Sequence, residues 1–292
     1  MIHPGPGSLR LAGIRAYPLK GAGGFDLREA RFDAFGIPGD RRWMLVRPNG
    51  VFISQRTHPR LALIRVAPLD GAGGPGAGEG GDDGPRFEIR APGMDPFYLR
   101  PSLDSGGVME VKLFEDRVRA VVVEGGTEWF SNCLREDCRL VYSHLDLVRP
   151  VDPAFAPGHR TSFTDGYPLL LTTQESLEDL NRRLSRPASM LRFRPNLILE
   201  GGRPWEEDTW RVLEIGEARV ELVKPCARCA VTTVDPGTGT RGKEPLKTLG
   251  GFRGWNGKAY FGQNAVFCGA GSFRVGDSVH IVEKGDARPP LA

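Results

Sequence analysis

The chain has 292 residues, 40% of them hydrophobic, and a formal net charge of +3, which is apolar material for one large or two ordinary domains and too little positive charge for a dense nucleic-acid surface. No apolar run approaches the ~20 residues of a membrane helix, and the opening MIHPGPGSLR lacks the apolar core of a signal peptide, so a soluble, cytoplasmic protein with neither membrane nor nucleic acid as partner is expected. Five cysteines are an odd number and argue against a disulfide framework, while 39 Gly and 24 Pro call for many turns and short elements, hence a β-rich fold.

Residues 9–20 (LRLAGIRAYPLK) predict a strand that stops at Pro18 and delivers Lys20 to the glycine-rich GAGG. Residues 40–55 (DRRWMLVRPNGVFISQ) read as two short strands around Asn49-Gly50, a dipeptide that favours a tight type I′ turn because both residues tolerate positive φ. Residues 69–85 carry almost nothing that could be buried and read as a flexible surface loop. The runs FEIRA, FYLRP, VMEVKLF and RVRAVVVE then make the first ~125 residues nearly all β, for which a closed or partly closed barrel is the natural architecture.

In residues 127–140 (TEWFSNCLREDCRL) the period changes: Trp129, Phe130, Cys133 and Leu134 share a helical stripe, so a helix is predicted with Cys133 in the core. Thr172-Thr173-Gln174-Glu175 is a capping-type start for a second helix with Leu177, Leu180 and Leu184 at helical spacing. Proline-rich residues 147–159 are the expected linker between a first domain, residues 1–146, and a second, residues 160–292. After Arg194-Pro195-Asn196 the runs NLILE, VLEIGEARVELV, AVTTV, NAVF and SVHIVE return to a β pattern.

The densest chemistry is KPCARCAVTTVDPGTG, residues 224–239. A structural zinc site needs four ligands and usually a second Cys/His pair, which the sequence lacks. A thioredoxin-like pair needs its first cysteine at a helix N-terminus, but the residues after Cys229 are strand formers followed by a turn. Two readings stay open on residue chemistry alone: Cys226 and Cys229 as small buried hydrophobes, or a thiolate-dependent site, which Arg228 between them favours because a permanent charge suits a thiolate or phosphate better than a core.

The pattern of these stretches resembles that of MOSC proteins, in particular the two-part form with an N-terminal MOSC β-barrel domain found in the mitochondrial amidoxime reducing component and its bacterial relatives. The resemblance runs over nearly the whole chain, through YPLKG at 17–21, GDRRWMLV at 39–46, SQRTHPRLALI at 54–64, TDGYPLLLTTQESLEDLN at 164–181, FRPNLIL at 193–199, CARCAVTTVDPGTG at 226–239, KEPLKTL at 243–249, FGQN at 261–264 and VGDSV at 275–279. It implies an α+β, β-rich fold: an N-terminal MOSC β-barrel-like domain followed by a MOSC β-barrel domain with a few helices.

It also implies a molybdenum cofactor whose pterin dithiolene supplies two sulfurs and whose third sulfur is Cys229, the implied metal ligand and catalytic cysteine; a metal held this way needs no second Cys/His pair. Lys20, Gly21, Arg41, Asp165, Arg194, Asn196, Ala227, Arg228 and Asn264 fall at positions that resemble cofactor contacts, and guanidinium forks plus a lysine are the groups that hold a phosphate. Pyridoxal phosphate is a further phosphate-bearing ligand on the same grounds. Two departures stand out: Gly21 where relatives often have serine, and Gly166-Tyr167 where a Thr-Ser pair is usual. The implied activity is reduction of N-hydroxylated or N-oxygenated compounds by oxygen-atom transfer, and the alternative from the same resemblance is a sulfur-carrier or molybdenum-cofactor-carrier protein. Some bacterial relatives carry an iron–sulfur domain; this sequence has no such four-cysteine segment, so a separate flavin, haem or ferredoxin-type donor is expected to supply electrons.

Overall fold

The computed structural model describes residues 8–69, 87–99, 106–143 and 149–288. All but Leu69 of the expected surface loop, and the first two residues of the expected linker, lie outside the described residues. A nine-stranded sheet dominates. Seven of its strands are β1 (Arg10–Ala16), β2 (Leu169–Thr173), β3 (Leu197–Glu200), β4 (Trp210–Ile215), β5 (Ala218–Arg228), β6 (Lys258–Cys268) and β7 (Val279–Lys284). They run in the order β1-β3-β2-β6-β5-β4-β7, antiparallel throughout except for the parallel pair β2 and β3.

The sheet closes on itself into a barrel. Arg10 bridges Ser278, Leu11 N–H donates to the Asp277 carbonyl at 2.9 Å, and Val279 N–H donates to the Leu9 carbonyl at 2.9 Å. Apolar residues two apart, Leu197 and Leu199, Leu213 and Ile215, Val220 and Leu222, turn to one face because side chains alternate along a strand. They fill the barrel with Leu11, Ile14 and Trp210, all 1% exposed or less. β1 thus stands before the expected linker yet completes the barrel of the second half.

The rest of the first half builds smaller antiparallel sheets. Strands Trp43–Val46, Arg139–Tyr142, Asp116–Val123 and Val108–Leu113 make one, in that spatial order, and Arg65–Pro68, Phe87–Arg90 and Phe97–Leu99 make another. Trp43, Leu45, Ile89 and Leu140 form their shared core with Phe130 of α1 (Thr127–Leu134). The linker segment is tied down where it is described: strand Arg149–Pro150 pairs with Arg160–Thr161, and buried Arg149 reaches Asp116 at 2.6 Å and the Thr164 carbonyl at 2.8 Å.

Two local expectations need correction. The turn at Asn49-Gly50 forms, but among the described residues only Gly50 (φ 82°) takes positive φ there, with its N–H donating to the Arg47 carbonyl at 2.9 Å. Pro48 is the reason: it fixes φ near −65° at the second turn position, which type I′ forbids. The helix of residues 127–140 ends at Leu134, where Arg135 turns left-handed (φ 56°), so Cys138 sits just before a strand instead of on the same helix as Cys133. The second helix, α2 (Gln174–Asn181), starts as predicted, with the Thr173 hydroxyl accepting from Ser176 N–H. No helix of the described residues is long and apolar enough to cross a membrane.

Candidate active site

Both halves wall a cavity of about 350 Å³, within the range of small-molecule sites. Lys20, Gly21, Arg41, Asp165, Arg194, Asn196, Ala227, Arg228, Cys229 and Asn264, dispersed over 245 positions of sequence, all line it.

The chain after β1 delivers the first of these. Leu19 bridges Trp43, and Lys20 N–H donates to the Trp43 carbonyl at 2.8 Å. The Lys20 side chain is buried, donates to the Phe163 carbonyl at 2.9 Å and pairs with Asp165. Burial pulls its ammonium below the ordinary lysine range, against the raising pull of Asp165. Burial works to raise the Asp165 carboxyl, but the charge and hydrogen bond of Lys20, aided by Arg56 and Arg41, outweigh it and hold the carboxyl well below the usual carboxylate range. Gly21 takes φ 87°, and a Cβ there would lie 3.1 Å from Leu61 Cδ1, which accounts physically for a glycine after the lysine.

Arg41 and Arg194 both pack on the Tyr17 ring, their guanidinium carbons 4.4 and 4.3 Å from its centroid. Both hold positive φ, 49° and 57°, a conformation that costs of order 1–3 kcal/mol in a residue with a Cβ and persists where surrounding bonds over-determine it. Those bonds are present: Arg41 donates to Asn196 Oδ1 at 3.0 Å and to the Arg194 carbonyl at 2.9 Å, and Arg194 to the Ala22 carbonyl. Burial, reinforced by neighbouring Arg41, brings Arg194 down to about 10.

The cysteines stand at the end of β5. Cys226 Sγ accepts from Arg228 Nη1 at 2.8 Å, and Arg228 also donates to the Phe193 carbonyl at 2.7 Å. Burial pushes the Cys226 thiol up, with Arg228 pulling against it. Cys229 Sγ accepts from Arg56 Nη2 at 3.3 Å. Ala230–Thr233, read from sequence as strand, is a 3-10 turn. Its threonines override their strand propensity by bonding back, Thr232 Oγ1 to the Cys229 carbonyl at 2.9 Å and Thr233 Oγ1 to the Ala230 carbonyl at 2.8 Å. Asn264, on β6, donates to the Pro225 carbonyl at 3.4 Å. Sequence reasoning missed Arg56, Lys224, Lys258 and Tyr260 on the wall; Arg56 lies inside the SQRTHPRLALI stretch, the one signal that pointed to it.

The family model described as MOSC domain matches residues 158–280, and the one described as MOSC N-terminal beta barrel domain matches residues 8–137. The chain belongs to the MOSC proteins. "Mitochondrial amidoxime reducing component 2" of Homo sapiens is 32% identical to it over 259 residues, 83% of this chain and 72% of that protein. "Mitochondrial amidoxime-reducing component 1" of Mus musculus is 30% identical over 296 residues, 93% of this chain and 82% of that protein. The cavity of this MOSC protein lies where its two matched regions meet.

The residues present suit a pterin-bound soft metal. Among the described residues no three His, Cys, Asp or Glu side chains converge as a metal site, so a metal here needs ligands brought by its cofactor. Cys229 offers one soft sulfur donor, and the cavity sets Lys20, Arg41, Arg194 and Arg228 against Asp165, the single carboxylate among the described residues that line it. Among the described residues Arg228 Nε is buried without a partner, a donor left for a ligand.

Proposed function

We propose that this MOSC protein is a molybdenum-cofactor-dependent reductase of N-hydroxylated or related N-oxygenated compounds, with Cys229 as metal ligand. The observation that carries the reading is a thiol, Cys229, on the wall of the same cavity as four cations suited to a phosphate. The names of the relatives, amidoxime reducing components, support the substrate class.

In this reading Lys20, Arg41, Arg194 and Arg228 hold the phosphate end, the Gly21 backbone approaches it closely, and Asn196 fixes Arg41. Ala227 and Asn264 wall the pterin, and Asp165 keeps Lys20 charged and aimed. When bound, the cofactor supplies the chemistry that turns an N–OH compound, two electrons and two protons into the N–H compound and water. The chain's part is to orient the cofactor, present one sulfur and leave room for substrate beside it. A separate flavin, haem or ferredoxin-type protein supplies the electrons, and the cytoplasm is the proposed compartment.

The test is molybdenum per chain after expression in a cofactor-competent host, with benzamidoxime reduction by an artificial donor on the same preparation. Near-stoichiometric metal with turnover is expected. Protein free of metal and pterin overturns the reading, and cyanide-releasable sulfur without turnover replaces it with the carrier function.

A further inference from the structure

We propose that Arg56 is a positioning residue for Cys229, holding its sulfur toward the cavity and supplying the positive charge that sets the reduction potential of the group bound there. The inference rests on the function proposed above and assigns a role to a residue from the other half of the molecule. Arg56 lies within the region matched by the N-terminal beta barrel domain and Cys229 within the MOSC domain, so the sulfur end of the site is incomplete without the first half.

The geometry is specific at each end of the side chain. The turn that carries Arg56 is built on Ser54, whose carbonyl accepts from Thr57 N–H at 3.0 Å and His58 N–H at 2.8 Å, and whose hydroxyl accepts from Arg56 N–H at 3.2 Å. Arg241, twelve residues beyond Cys229, donates to the Gln55 carbonyl at 2.9 Å and to the Arg56 carbonyl, so the segment after the cysteine grips the turn that carries the arginine. The guanidinium carbon lies 5.0 Å from the Phe114 ring centroid, which fixes the plane of the fork, and Nη2 reaches Cys229 Sγ at 3.3 Å. Lys20 packs against the same ring at 5.4 Å, so Phe114 sets the spacing between the two cations.

Arg56 is not spent on an ion pair within the described residues, whereas Lys20 is paired with Asp165 and Arg41 with Asp40. Its charge also reaches Asp165, but its guanidinium hydrogen bond within the described residues goes to the Cys229 sulfur. A hydrogen bond and a positive charge on a ligating sulfur draw electron density from the metal and stabilise its reduced state, which raises the potential; partners of this kind also fix the ligand's direction. The same role does not fall to Arg228, whose fork is occupied by Cys226 and the Phe193 carbonyl.

The test compares Arg56→Ala, Arg56→Lys and Arg241→Ala with the unaltered protein, each loaded in the same host. Molybdenum per chain, the midpoint potential from a spectroscopic redox titration of the metal, and kcat and KM for benzamidoxime are measured. Arg56→Ala is expected to keep its molybdenum, because the phosphate contacts are untouched, to show a lower midpoint potential, and to lose about 10–100-fold in kcat at nearly unchanged KM. Arg56→Lys restores part of the potential but less of kcat, since lysine keeps the charge and loses the fork. Arg241→Ala, which touches only the turn, shifts the potential in the same direction by less. A potential in Arg56→Ala equal to that of the unaltered protein overturns the inference while leaving the reductase reading intact, as does loss of molybdenum matching the loss of activity. Unaltered protein that takes up no molybdenum overturns the reductase reading and this inference with it.

Discussion

Cys226 and Cys229 lie three positions apart on one wall but meet different partners, Arg228 and Arg56. If Cys229 is the ligand, Cys229→Ala abolishes turnover while Cys226→Ala retains a measurable fraction, with molybdenum content read on the same samples; equal losses would point to a two-thiol site. A second residue-scale prediction concerns Glu207, 1% exposed, whose Oε2 accepts from Thr173 Oγ1 at 3.3 Å and whose Oε1 has no partner among the described residues. Burial raises its carboxyl from an ordinary 4.5 to about 7, with Asp208 adding to the rise and Arg253 opposing it. Between those values the native state keeps a proton that the unfolded chain has released, so stability falls as pH rises through the window and stays low above it. At ~1.4 kcal/mol per pH unit the full effect is about 3 kcal/mol. Glu207→Gln should flatten the decline in melting temperature between pH 5 and pH 8; an unchanged slope would mean the proton is held elsewhere. Little of this was legible beforehand, because neither Glu207 nor Arg56 differs in sequence from a solvated charge, and only their surroundings, brought in from Thr173 and Cys229, distinguish them.

Elements were legible where local chemistry decides them. α2 begins at the predicted cap because a threonine hydroxyl and a leucine stripe act within a few residues. The Ala230–Thr233 turn was not, because β-branching favours strand unless the hydroxyls find carbonyls three residues back, which they do. Thr232→Val and Thr233→Val together keep shape and burial but remove both bonds. The double variant is expected to melt lower, at about 1 kcal/mol per bond, and to lose turnover through displacement of Cys229, whose carbonyl is one of the acceptors. Full activity at a lowered melting temperature would show that the turn stabilises the fold without aiming the thiol.

On the scale of the whole molecule, composition and pattern made β-richness legible, and short motifs named ten residues that line one cavity. The closure of the barrel by β1 was not legible, since its partners lie far along the chain: Arg10 pairs in register with Glu200 and bridges Ser278. Residues 160–292 expressed alone lack the strand that buries Leu11, Ile14 and Ala16 against β3, so that fragment is expected to show no cooperative melting by circular dichroism, whereas a two-state transition would show that the barrel closes without β1. The same long-range pairing has a consequence for birth on the ribosome. Some 190 residues separate Arg10 from Glu200, and at about 5–20 residues per second β1 waits roughly 10–40 s before β3 has been made. During that interval the apolar face of β1 has no strand of the second half to cover it, and it is the stretch on which a nascent-chain chaperone would act. Cys229 emerges later still, so under the function proposed above a metal would join only after β3 has been made.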